Sequence, residues 1–343
     1  MEKHVLRLTE EQRRLGHEVT IAFNSGQASS LNDIRVLPWV NLRTIRPQAV
    51  RDLCFYSHLI SKISAQGSRF DIVHVHGDWS AFLFGRLVAR AASARTLIGS
   101  LHGAARQGKW RAMYRFALNG YSMVYATGSR EAQYIGSLTG RPVRWQHSGI
   151  DAVLFTNDIS ETPNRTIDVV SAGSFVPCKN YELVVEVACA MPNVTFLLIG
   201  DGPRRCAIEA QCRRRGISNI TFAGHLPPAD VAQQLRHARI YLQTSLSEGT
   251  PTALLEGMAC GLAVITSQSN DYEELIQPGQ NGFVIEGFRA EPYVRRIQEL
   301  LGNENRLHEI ARRNSKQALR YGWSDVAKRI TEWSMPDAID QGR

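Results

Sequence analysis

The feature that most constrains this chain is its repeated switch between two hydrophobic periods. Short runs rich in Val, Ile and Leu at 19–23, 71–76, 96–101, 123–127, 168–172, 195–199, 220–223, 240–243 and 263–266 are apolar on both faces. Strands buried in parallel sheets read this way. Between them lie stretches of helical period at 2–15, 50–64, 80–92, 109–119, 181–190, 229–237, 253–260 and 291–301. Strand and helix in alternation predict right-handed βαβ units and open, doubly wound sheets. A length of 343 residues is natural for two such domains. Apolar periodicity lapses and turn residues gather between 149 and 164, which predicts the linker. The expected architecture is α/β, with two Rossmann-like doubly wound domains facing each other across a cleft.

Charge divides the chain at the same place. Residues 1–150 carry 20 Lys and Arg against 9 Asp and Glu, whereas residues 151–343 carry 20 against 23. A basic half beside a slightly acidic one predicts different partners, the basic half suiting an anionic acceptor or an anionic membrane face. No apolar run approaches the roughly 18 residues of a membrane span. The opening Met1-Glu2-Lys3-His4 lacks the apolar core of a secretory signal. Six scattered cysteines without a C-x-x-C pair fit free, mostly buried thiols in a reducing cytosol. The chain begins on a helix, with a stripe of Val5, Leu8 and Leu15, where a doubly wound domain ordinarily begins on a central strand. The expectation is an N-terminal truncation that removes this first strand.

The strongest local motif runs from Ser247 through Glu248-Gly249-Thr250-Pro251 to Glu256 and Gly261. It follows one strand run and enters a helix. Thr250 before Pro251 fits an N-cap with proline at the first helical position. Free N–H groups at that helix start suit a diphosphate, and Glu248 and Glu256 offer acceptor pairs for sugar and ribose hydroxyls. On spacing alone, both carboxylates could equally be solvated surface groups. No G-x-G-x-x-G follows a strand, no P-loop is present, no His/Cys cluster has zinc spacing and no D-x-D occurs, so neither cofactor nor metal is expected.

With these segments in order, the chain resembles the retaining glycosyltransferases of the GT-B class, family 4. The likeness extends from Gly16-His17-Glu18-Val19 through Asp71-Ile72-Val73-His74-Val75-His76-Gly77, Ser100-Leu101-His102-Gly103 and Ser148-Gly149-Ile150-Asp151. It continues through Gly173-Ser174, Lys179-Asn180, Ile199-Gly200-Asp201-Gly202-Pro203, Phe222-Ala223-Gly224 and Asn281-Gly282-Phe283. The resemblance implies an acceptor-binding domain at 1–148, a donor-binding domain at 149–319 and a final segment, 320–343, whose helix crosses back onto the first domain. Trp323 and Trp333 would be its packing anchors.

The resemblance also implies roles. Glu248 would contact the transferred sugar and Glu256 the nucleotide ribose, with Gly249 and Thr250 offering backbone N–H groups. Lys179 would neutralise the diphosphate beside Gly173, and Ser174 stands where many relatives carry arginine. Backbone groups up to Leu226 would recognise the base. His102 would line the cleft beside the sugar, His76 would face the acceptor, and His74 would pack. The donor would be a UDP-, GDP- or ADP-sugar and the acceptor a glycan or lipid-linked intermediate of envelope or exopolysaccharide synthesis. A non-catalytic nucleotide-sugar binder and a GT-B nucleotide-sugar epimerase are the alternatives. Nucleic-acid binding has only the basic half and the basic-aromatic stretch at 106–116 behind it. That stretch suits either an anionic bilayer interface or an amphipathic helix docked on its own domain.

Overall fold

The computed structural model describes residues 2–23, 35–36, 48–102, 111–156, 165–246, 251–268, 272 and 275–335. The chain divides into one unit of residues 1–148 with 323–343, and a second of residues 149–322.

In the first unit, α1 (Glu2–Arg14), β1 (Thr20–Ile21), β2 (Arg35–Val36) and α2 (Gln48–Gln66) precede β3 (Ile72–Gly77), α3 (Trp79–Ala91) and β4 (Thr96–Leu101). Then come α4 (Arg111–Leu118), β5 (Met123–Ala126), α5 (Ser129–Thr139) and β6 (Arg144–Trp145). β3, β4, β5 and β6 form a four-stranded parallel sheet in that order, and β1 with β2 forms a separate two-stranded parallel sheet. One face of the larger sheet packs Phe82, Leu101, Tyr121 and Ile135 among α3, α4 and α5. The other gathers Leu8 of α1, Ile98, Met123 and Tyr125 with Val326, Ala327 and Ile330 of α13 (Trp323–Ser334). Trp323 and Trp333 pack against this second cluster, and the Arg144 guanidinium lies over the Trp333 ring at 5.4 Å.

The second unit contains α6 (Ala152–Phe155), β7 (Ile167–Ala172), α7 (Tyr181–Cys189), β8 (Phe196–Ile199), α8 (Arg205–Arg214), β9 (Ile220–Gly224) and α9 (Pro228–Arg236). These lead to β10 (Ala238–Gln243), α10 (Thr252–Ala259), β11 (Ala263–Ser267), β12 (Gly282–Ile285), α11 (Ala290–Leu301) and α12 (Glu304–Ala318). All six strands are parallel, in the order β12-β11-β10-β7-β8-β9. Chain direction across the sheet therefore reverses between β7 and β10, and open α/β sheets bind ligands beyond the strand ends at such a point. Val169, Leu198, Ile240 and Ile265 enter one core and Val170, Leu197, Tyr241 and Val264 the other, so each strand is apolar on both faces.

Four sequence expectations change. The strand expected over 19–23 is paired only at Thr20–Ile21. The buried face of α1 consists of His4, Leu8 and Thr9, while Leu15 lies beyond the helix end and is 44% exposed. Cys54, Cys178, Cys189 and Cys206 are exposed, and only Cys212 and Cys260 are buried. The first four lie on helix surfaces or in the turn before α7, where no opposing layer covers them. Helix α10 begins at Thr252, so Pro251, rather than Thr250, occupies the capping position and no side chain caps the helix.

The basic-aromatic helix docks on its own unit. Tyr114, Ala117 and Leu118 of α4 are buried, Phe116 is 60% exposed, and residues 103–110 lie outside the described residues. Among the described residues, no helix is long and apolar enough to cross a membrane.

Candidate active site

In the second unit, the loops leaving the sheet at the reversal point are tied to one another. Gly173 and Ser174 follow β7 directly, and a 3-10 turn over Pro177–Lys179 leads to Asn180, whose φ of 52° is left-handed. Thr244 Oγ1, just past β10, donates to the carbonyls of Lys179 and Asn180 at 3.1 and 3.0 Å. The Leu246 amide donates to the Cys178 carbonyl at 2.7 Å. Past β7, the Phe175 amide donates to the carbonyl of Asp201, which follows β8, at 2.9 Å, and Phe175 stacks on Tyr181 with ring centroids 4.0 Å apart. The Tyr181 hydroxyl donates to the Gly173 carbonyl at 3.1 Å.

The turn at Gly173 is narrow. A methyl group there would stand 3.4 Å from Lys179 Cε and 3.6 Å from its Nζ, so the ammonium lies over the half-buried Gly173 backbone. A methyl on Gly200 would stand 2.0 Å from the Gly173 carbonyl oxygen. The two glycines thus let β7 and β8 end side by side, with backbone open to a ligand. Ser174 is exposed and Lys179 half-buried. Glu256 is half-buried in the second turn of α10, and Gly257 brings that helix against Tyr241. Leu226 follows β9, and its side chain packs against the core. Gly173, Ser174, Lys179 and Leu226 all follow the carboxyl ends of strands of this one sheet. Glu248, Gly249 and Thr250 lie outside the described residues.

The first unit assembles a group of histidines. β3 and β4 run parallel with His76 opposite Ser100. His76 Nδ1 lies 3.0 Å from His102 Nε2, which is also 3.0 Å from Ser100 Oγ. His74 stands beside them, its ring centroid 4.0 Å from that of His76. From α1, His4 brings its ring to 4.6 Å from His102 and 5.2 Å from Trp323, and its Nδ1 is 2.8 Å from Ser148 Oγ. Burial pushes His4 and His74 down to about 3. It also holds His76 and His102 well below the usual histidine range, helped by the neighbouring imidazoles. All four rings are therefore neutral at pH 7. His102 can donate or accept a hydrogen bond, but the charged role that an exposed imidazole could take near neutrality is closed to it.

Sequence reasoning gave no role to His4, and it marked Ser100 and Ser148 only as members of wider segments. The signal within reach was a histidine one helical turn before Leu8 on the buried side of α1. That pattern marks a polar residue placed in a core, which needs partners.

Two parallel-sheet Rossmann-like units, one with a glycine-lined loop pair at its reversal point, define a GT-B fold. The family Glycosyltransferase Family 4 matches residues 1–154 and the family Glycosyl transferases group 1 matches residues 155–317. The chain belongs to the group 1 glycosyltransferases. It is 24% identical over 349 residues to a phosphatidylinositol N-acetylglucosaminyltransferase subunit of Arabidopsis thaliana, covering 96% of this chain and 77% of that protein. It is 22% identical over 357 residues to the phosphatidyl-myo-inositol mannosyltransferase of Mycolicibacterium smegmatis, covering 96% and 88%. Shorter matches to other glycosyltransferases cover less than half of those relatives' length. The crystal structure of Anabaena Alr3699/HepE in complex with UDP superimposes with a TM-score of 0.78 at 20% identity, covering 95% of this chain and 94% of that one.

Proposed function

We propose that this glycosyltransferase moves a hexose from a nucleotide-diphosphate sugar to a lipid or lipid-linked acceptor, with retention of anomeric configuration. The observation that carries the reading is the cross-tied loop pair at the reversal point of the second unit's sheet, with Lys179 over the Gly173 backbone. Lys179 and the N–H groups of the first turn of α10 neutralise charge growing on the diphosphate as the glycosidic bond breaks. The acceptor hydroxyl oxygen bonds to the anomeric carbon on the face the diphosphate leaves, and a diphosphate oxygen takes the proton. No further base, cofactor or metal enters this scheme. Glu248 and neutral His102 orient the sugar, Glu256 holds the ribose, Gly249 and Thr250 present N–H groups, and His76 serves the acceptor.

Two relatives named for phosphatidylinositol acceptors favour a lipid, and the UDP-bound neighbour puts uridine first among the donors to try. The basic first half suits an anionic membrane surface, on the cytoplasmic side, carrying such a lipid. Envelope or surface-glycan synthesis is the corresponding setting.

The test is thermal stability against UDP-, GDP- and ADP-sugars, followed by transfer to lipid extracts and assignment of the product anomer. One nucleotide class should raise the melting temperature. Glu256→Ala should weaken donor binding, and Glu248→Ala should lower turnover by about 10²-fold or more while sparing the melting shift. A sharp melt that no nucleotide sugar moves would overturn the donor reading, and an inverted product would overturn retention.

A further inference from the structure

The histidine group of the first unit holds more nitrogen donors than hydrogen bonding uses. One ring nitrogen each of His4, His76 and His102 lie within 4.8 Å of one another. Ser148 engages His4 Nδ1, and His4 Nε2 is buried with no hydrogen-bond partner. His74 Nε2, beside the group, is likewise buried and without one. Buried polar atoms left in this state need a partner that the protein itself does not supply, be it water, a ligand or an ion. Polar partners here are imidazoles and serine hydroxyls, and among the described residues no carboxylate belongs to the cluster.

We propose that His4, His76 and His102 form a binding site for a borderline divalent transition-metal ion of the zinc class. Occupation of this site withdraws His76 and His102 from the transfer reaction. An all-imidazole donor set suits Zn, Ni or Cu and disfavours Mg and Ca, which take oxygen ligands. Tetrahedral zinc with bonds of about 2.0–2.1 Å sets its nitrogens about 3.3–3.4 Å apart. The His76–His102 separation of 3.0 Å is slightly below this spacing, and the 4.8 Å limit of the trio is above it. Small ring rotations on fixed backbones therefore close the site. The Ser148 contact to His4 Nδ1 holds that ring with Nε2 available, as outer-shell partners of metal-bound histidines do. His4 is 4% exposed, but His76 and His102 retain partial exposure, which gives an ion its way in. In the transfer scheme proposed above no metal takes part, so the ion acts here as an inhibitor rather than a cofactor.

Metal binding stands on the geometry alone, whereas inhibition rests on the proposed roles of His102 and His76. The experiment titrates the metal-free full chain with Co²⁺, followed by its visible absorption, and then displaces Co²⁺ with Zn²⁺. One equivalent should bind. His4→Gln should lower affinity by at least about tenfold, and His17→Gln, an exposed histidine outside the group, should leave it unchanged. X-ray absorption of the zinc-loaded wild-type chain should show an imidazole nitrogen shell, a readout that does not depend on any variant folding. No binding at micromolar metal, undiminished binding in His4→Gln, or a sulfur shell from the exposed cysteines would overturn the site. Zn²⁺ should inhibit transfer with the affinity seen by absorption. Binding with a nitrogen shell but no inhibition would overturn the inhibitory role and leave the site standing. Absence of transfer under all conditions, with binding intact, would instead count against the transferase assignments.

Discussion

Gly200 shows how much one side chain's absence decides. Its φ is +131°, and a methyl there would meet the Gly173 carbonyl oxygen at 2.0 Å. Gly200→Ala must therefore push apart the two turns that frame Lys179. We expect it to cost about 3 kcal/mol in a denaturant melt, against about 1 kcal/mol for Gly216→Ala, which has φ +67° and open space around it. Equal costs would mean that the close approach is not a constraint. His4 gives a pH dependence of definite sign. Its folded pKa of about 3 lies below the ordinary 6.5, so as pH falls the unfolded chain takes up the proton first. Stability is fully present above pH 6.5 and is lost as pH drops towards 3. This single group removes about 2 kcal/mol by about pH 5. The slope of melting temperature between pH 7 and 5 should flatten in His4→Gln, and an unchanged slope would place the titration elsewhere.

At the scale of elements, α12 is joined to the β11–β12 connection by a buried amide pair. Asn314 Nδ2 donates to the Leu262 and Asn281 carbonyls at 2.7 and 2.8 Å. Asn281 Nδ2 donates in turn to the Leu275 carbonyl and to Gln317 Oε1. Asn314→Leu leaves two buried carbonyls without these donors and should cost about 2–4 kcal/mol, read by chemical unfolding. A loss below about 0.5 kcal/mol would show that water replaces the amide. The sequence marked Asn281-Gly282-Phe283 as a segment but held no sign of Asn314, because its partner carbonyls come from two separate turns. The start of α10 teaches a similar lesson. Proline and a short hydroxyl side chain are helix-start signals that neighbouring positions can share, and the backbone at Pro251 decided between them.

At the scale of the molecule, α13 completes the first unit from the far end of the chain. Val326, Ala327 and Ile330 are fully buried against Leu8, Ile98, Met123 and Tyr125. Deleting residues 323–343 bares that cluster and should cost several kcal/mol, comparable with the roughly 5–15 kcal/mol that stabilises a whole domain. Hydrogen exchange should then accelerate in β4 and β5 but not in β7 and β8, whose cores share no residue with it. Uniform acceleration would mean that the units unfold as one. By itself, the sequence determined the parallel α/β character, most of the strands and helices and the motif around Glu256, which local period and turn chemistry encode within a dozen residues. It did not mark β6, β12, α5, α8 or α12, and the segment around Lys179 came from the family resemblance. Only tertiary structure decided that His4, His76 and His102 meet and are neutral. Their proximity depends on the register of β3 with β4 and on how α1 lies across them. Burial by neighbours distant in the chain, rather than anything in the residues themselves, sets their charge.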